Sequence, residues 1–274
     1  MLFARPPLIE LIAELRWGAP SMIVPVPAEG LPVGTAIPAT TVSARDEEMF
    51  MRFGAKAASE GYSRFERIMP PGFPLLPSQP VYRFRKAEPA SGTSLFQLGP
   101  SIFSANTAPP YRSWEAFHPV VRMGVSMLLD SLDESDKAQP FGAASLRYID
   151  AFRSELTEGD SPLDFLTKKL GFDIGLPHVI ESEADPGSPI KPLLKFTIPL
   201  AARSVMELTA GEGVVGKDEA LIMETTVIAP GPIHMDVDAV MSILDEAHNI
   251  IRRVFVEMTQ PIAHLMQPTG GGAP

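Results

Sequence analysis

The chain of 274 residues has no cysteine. That removes disulfides, thiol nucleophiles, Cys-type zinc sites and iron–sulfur clusters together. It also lacks any apolar run of about 18 residues, the length a membrane-spanning helix needs. Positive charge is scarce: 23 Lys and Arg stand against 33 Asp and Glu, a formal net charge of −10. Nucleic-acid binders carry a basic face, and the local basic pair here, Arg252-Arg253, is small. Nucleic acid is therefore disfavoured as a partner. An acidic surface suits solubility or a basic protein partner. In the opening stretch MLFARPPLIELIAEL, Glu10 and Glu14 break the apolar residues and no small-residue cleavage site follows. It does not read as a signal peptide, and the chain is expected in the cytoplasm.

Catalytic motifs are missing as well. There is no Gly-x-Ser-x-Gly elbow. GEGVVGK at 211–217 resembles a phosphate-binding loop, but DEALIMETTV follows it, a strand pattern opened by two acids. Phosphate binding needs a helix N-terminus there, so a hairpin turn is the better reading. The five histidines are His118, His178, His234, His248 and His264, with no i, i+4 pair on a helix. A metal site would need His234 and His248 to converge with Asp236 or Glu246. Scattered histidines more often sit on surfaces or helix faces, so no metal or cofactor is assigned.

What is present is a regular alternation of elements. LIELIAELRW puts Ile9, Leu11, Ala13, Leu15 and Trp17 on one side and Glu10, Ile12, Glu14 and Arg16 on the other, a half-buried strand. Residues 18–42 hold five prolines and read as a surface loop with one short edge strand near Met22–Val26. Ser43 caps a helix striped by Met49, Phe50, Phe53 and Ala57. Strands follow at VYRFR and SLFQLGPSIFSAN, then a long helix from Ser113 or Pro119. The order then recurs. A strand at 145–153 leads to a helix of about 162–170, started by Ser161-Pro162. Strands LLKFTIPLA, SVMELTAG and EALIMETTVIA come next. A final helix from Asp236 carries Val240, Leu244, Ala247, Ile251, Val254 and Met258 on one stripe.

Several segments together carry a family resemblance: RPPLIELIAELRW, GYSRFERIMPPGFP with PVYRFR, FQLGPSIFSAN before YRSWEAF, LRYIDAF, and LDEAHNIIRRVFVEMT. In this order they resemble a sporadically distributed family of uncharacterised bacterial proteins of roughly this length. The resemblance implies a fold and a bacterial cytosolic setting, and no catalytic residues.

The fold expected is α+β: an antiparallel sheet covered on one face by long helices, in two similar strand–helix–strands–helix halves. The halves are residues 1–140 and 141–267, with a disordered tail at 268–274. Strand 145–153 should lie near their junction. Its Leu146, Tyr148, Asp150 and Phe152 share one face, and Arg147, Ile149, Ala151 and Arg153 the other. Glu10 and Glu14 are the expected partners of Arg147 and Arg153. Asp150 is the odd residue, because a buried unpaired carboxylate costs several kcal/mol. No catalytic residue is assigned. Arg147, Tyr148, Asp150 and His248 are the candidate ligand-binding residues. The leading reading is a non-catalytic protein acting by protein–protein interaction, such as an accessory or antitoxin-like partner in a defence-type locus. The alternative is a small-ligand-binding or hydrolytic enzyme with a cleft between the halves. The apolar segment 254–266 suggests a homodimer.

Overall fold

The computed structural model describes residues 2–18, 41–73, 75–76, 79–88, 93–110, 113–185 and 187–269. The first run of elements is β1 (Leu2–Phe3), β2 (Leu8–Arg16), α1 (Ala44–Ser59), β3 (Arg64–Arg67), β4 (Tyr82–Arg85), β5 (Leu95–Gly99), β6 (Ile102–Thr107), α2 (Trp114–Ser131) and α3 (Glu134–Lys137). Next come β7 (Phe141–Phe152), α4 (Ser154–Thr157), α5 (Pro162–Asp164), a π-helical turn Phe165–Lys169 and α6 (His178–Glu181). The last are β8 (Leu193–Pro199), β9 (Val205–Val215), β10 (Asp218–Ile233), α7 (Val237–Met258), α8 (Ala263–Met266) and β11 (Pro268–Thr269). The expected edge strand at Met22–Val26 lies outside the described residues.

The protein is α+β. Nine strands form one antiparallel sheet in the order β3-β4-β5-β6-β2-β7-β10-β9-β8, with helices packed on it. On either side of the β2–β7 pair the strands run outward against chain order, so the sheet ends on β3 and β8. Leu2–Phe3 and Pro268–Thr269 form a separate two-stranded antiparallel ribbon. Two residues assigned to a disordered tail are therefore paired strand, and 270–274 lie outside the described residues.

The chain forms two compact units, each drawn from several stretches. The sequence-based halves 1–140 and 141–267 are a different partition, made by element order along the chain. One unit comprises 12–146 and 229–245. Its α1 opens with a capping box: Ser43 Oγ accepts the Asp46 N–H while the Asp46 carboxylate accepts the Ser43 N–H. This fixes the helix so that Met49, Phe50, Phe53 and Ala57 are buried. The Phe53 ring lies 5.1 Å from Phe84, 5.8 Å from Phe96 and 5.8 Å from Phe103, centroid to centroid. Helix α2 reaches the same aromatic cluster at Gly124. A Cβ there would stand 2.5 Å from Phe96 and 2.8 Å from Phe103, so only glycine allows this approach.

The other unit comprises residues 1–11, 147–228 and 246–274. Its core gathers Phe152, Leu156, Phe165, Leu166, Leu170, Ala210, Leu221, Met223, Ile262 and Met266. Phe255, Met258 and Leu265 pack against that core. The apolar surplus of 254–266 thus goes into the chain's own interior, and the reason for reading that segment as a dimer contact falls away. GEGVVGK closes the β9–β10 hairpin: Val215 pairs with Asp218, and Gly216, at φ +70°, is the first of two turn residues. No helix follows it, so the phosphate-loop reading fails for the expected reason.

The crowding at Gly124 gives a direct test. Gly124→Ala gains about 1 kcal/mol of helix propensity but forces a methyl into buried phenylalanine rings, at a cost of about 1–3 kcal/mol. Urea denaturation should show a net loss of stability with an unchanged slope. A variant as stable as the parent would mean that the aromatic cluster is not packed this way.

Candidate functional site

The candidate residues converge on β7 and α7. The burial of Leu146, Asp150 and Phe152 marks their face of β7 as the inner one. Phe152 meets Phe165 there at 5.3 Å between centroids. Two residues before Asp150 on the same face, Tyr148 reaches α7. Its Oη lies 2.7 Å from His248 Nδ1, with the rings 6.1 Å apart and tilted 30°. The hydroxyl donates to Nδ1 when the imidazole carries its proton on Nε2, and accepts from Nδ1 in the other protonation forms. His248 comes to this position through α7, whose first turn is closed by Asp236 Oδ1 accepting the Ala239 N–H at 2.9 Å.

Arg147 points the other way, as the alternation of a strand requires. Its Nε lies 3.4 Å from Glu224 Oε1 on β10, with both side chains about 35 % exposed. Of the partners expected on β2, Glu14 binds Arg16 of its own strand at 2.6 Å. Arg153 does not reach Glu14; among the described residues it has no ion pair. Half-exposed pairs of this kind contribute up to about 1 kcal/mol. Arg147 is held by the sheet and kept away from the Tyr148–His248 pair.

Asp150 is the chemically unusual member. It is 3 % exposed, and among the described residues no side chain donates a hydrogen bond or ion pair to its carboxylate. Burial pushes its pKa up from 3.8 to about 7. Near neutral pH it is therefore divided between acid and carboxylate, the condition that lets a group give or take a proton. Bland packing explains the Tyr148–His248 pair well, since a buried tyrosine usually finds a partner for its hydroxyl. It does not explain Asp150.

The remaining histidines are dispersed. His118 Nε2 lies 3.4 Å from Asp245 Oδ2, and His178, His234 and His264 are exposed. Among the described residues no three His, Cys, Asp or Glu side chains gather as a metal set.

Sequence reasoning missed a surface feature. Strand β8 is a sheet edge, and Leu193, Phe196 and Ile198 are 82 %, 40 % and 38 % exposed. LLKFTIP has apolar residues on both faces, which is also the pattern of a buried central strand. Strand order alone tells the two apart. No family model, curated protein or solved structure matched the chain.

Asp150 makes a signed prediction. Its folded pKa is above its unfolded one, so the folded state binds the extra proton. The stabilisation is complete below pH 3.8 and is lost as pH rises toward about 7. The full shift corresponds to an upper bound of roughly 4 kcal/mol. Asp150→Asn should remove this component, so the stability gap between parent and variant changes across the window and levels off above it. A gap constant with pH, measured by urea denaturation, would show that the carboxyl titrates normally.

Proposed function

We propose that this protein is non-catalytic and acts by protein–protein interaction, through strand addition at the β8 edge. The observation that carries the reading is the inequality of the two sheet edges. Strand β3 is four residues long and three of them, Arg64, Glu66 and Arg67, are charged. Short, charged edges are how sheets avoid unwanted pairing. Strand β8 has seven residues and one charge, Lys195. It presents backbone donors and acceptors beside exposed apolar side chains, which is what β-augmentation requires.

The occupant specified by the pattern is a second copy. An antiparallel pair centred on Phe196 sets Leu194 against Ile198 and Phe196 against its own counterpart on one face. On the other face it sets Lys195 against Thr197, so no like charges meet. Phe196 is already braced by Phe172, with stacked rings 6.0 Å apart, so little further ordering is needed. The same reading keeps the chain with the bacterial family it resembles. An accessory or antitoxin-like role has its own test in co-purification with products of neighbouring genes.

A second reading, a small-ligand-binding or hydrolytic enzyme, has one observation in its favour: the buried Asp150, with which no side chain among the described residues pairs. A hydrolase activity that survives Asp150→Asn would remove that residue from it.

Sedimentation velocity at micromolar concentration tests the leading reading. The parent should run as a dimer. Phe196→Lys would oppose two ammonium groups and should give a monomer, while Phe65→Lys on the β3 edge should leave the dimer intact. A monomeric parent, or a dimer that tolerates Phe196→Lys, contradicts β8 self-pairing.

A further inference from the structure

A second feature is lined by no residue of β8 and does not depend on the interaction reading. Three stretches of chain, residues 5–7, 151–156 and 264–267, enclose a pocket of about 540 Å³. That is within the range of small-molecule sites, roughly 300–1,000 Å³. Its walls are tied by backbone hydrogen bonds. Ala4 N–H donates to Gln267 O at 2.9 Å, Arg5 N–H to Met266 O at 3.0 Å, and Ala151 N–H to Pro7 O at 2.8 Å. The lining combines apolar groups, among them Ala151 and Leu156, with the polar side chains of Arg5, Arg153, Glu155 and His264.

The charges in this lining are mostly positive. The net charge is −10; in the same unit Arg147, Lys168, Lys169 and Lys191 each have an acidic partner, whereas the exposed Lys195, Arg203, Lys217, Arg252 and Arg253 have none among the described residues. Arg5 and Arg153 have none among the described residues, although Glu155 lines the same pocket. Two guanidinium groups and one carboxylate leave a surplus of one positive charge, with His264 counted neutral. A single negative charge balances that. A guanidinium is also the group that binds a carboxylate through two parallel hydrogen bonds. The apolar wall asks for a body that water does not hold.

We infer that this pocket binds an organic monocarboxylate: the carboxylate held by Arg5 and Arg153, with an apolar body against Ala151 and Leu156. Arg153, expected from sequence to pair with a neighbouring strand, is here a ligand-binding residue. Arg5 had no role in the sequence reading.

Isothermal titration of the full chain with hexanoate, hexanol and inorganic phosphate tests the proposal. Hexanoate should bind saturably. Hexanol, which lacks the charge, and phosphate, which lacks the body, should bind far more weakly or not at all. Arg5→Gln and Arg153→Gln should each weaken hexanoate by about tenfold, and Arg252→Gln, an exposed charge on α7, should not. Circular dichroism checks that each variant is folded. Absence of saturable hexanoate binding, equal binding of hexanol or phosphate, or unchanged affinity in the Arg5 and Arg153 variants overturns it.

Discussion

A sheet that does not close into a barrel ends twice, and at each end a row of backbone N–H and C=O groups faces outward. This constraint organises the protein. The nine-stranded order places β2 and β7 at the centre and sends later and earlier strands outward to β8 and β3. The central strands are enclosed and take the apolar load. The outer strands must meet either water or another chain. On β3 the charges of Arg64, Glu66 and Arg67 settle the matter in favour of water. On β8 nothing comparable stands in the way, and Leu193, Phe196 and Ile198 remain exposed.

The same layout explains why the polar residues of β7 serve different ends. A strand sends consecutive side chains to opposite faces. Arg147 therefore joins Glu224 on a half-exposed face, while Tyr148 turns inward to His248. Asp150 follows Tyr148 inward, no side chain among the described residues pairs with it, and burial raises its pKa to about 7. Tyr148 and His248 meet at hydrogen-bond distance, whereas burial disfavours the charged form of Asp150. A polar group retained at a cost is a stronger pointer to use than one that is satisfied.

Much of this was legible in the residues. The period of two in LIELIAELRW, the Ser43 cap, the stripe of α7 and the hairpin at Gly216 all reflect local rules, and those rules act within a few residues. The inward face of Leu146, Tyr148, Asp150 and Phe152 followed from alternation alone. What could not be read was adjacency. Arg147 had acids available on several strands, and only the order β2-β7-β10 makes Glu224 its partner. The apolar segment 254–266 looked surplus because its partners, Phe152, Phe165 and Met223, lie far away in the chain. LLKFTIP read as a strand, but its edge position depends on where eight other strands settle. The convergence of Arg5 with Arg153 and His264 is a product of the tertiary fold and has no local signal.

Hydrogen–deuterium exchange followed by mass spectrometry, on dilute and concentrated samples of the intact chain, tests the central claim most directly. If β8 is the seam between two copies, the amides of 193–198 should exchange more slowly as concentration rises, while those of β3 at 64–67 keep one rate throughout. Exchange across 193–198 that is the same at every concentration would contradict the account, and leave the apolar edge without an occupant.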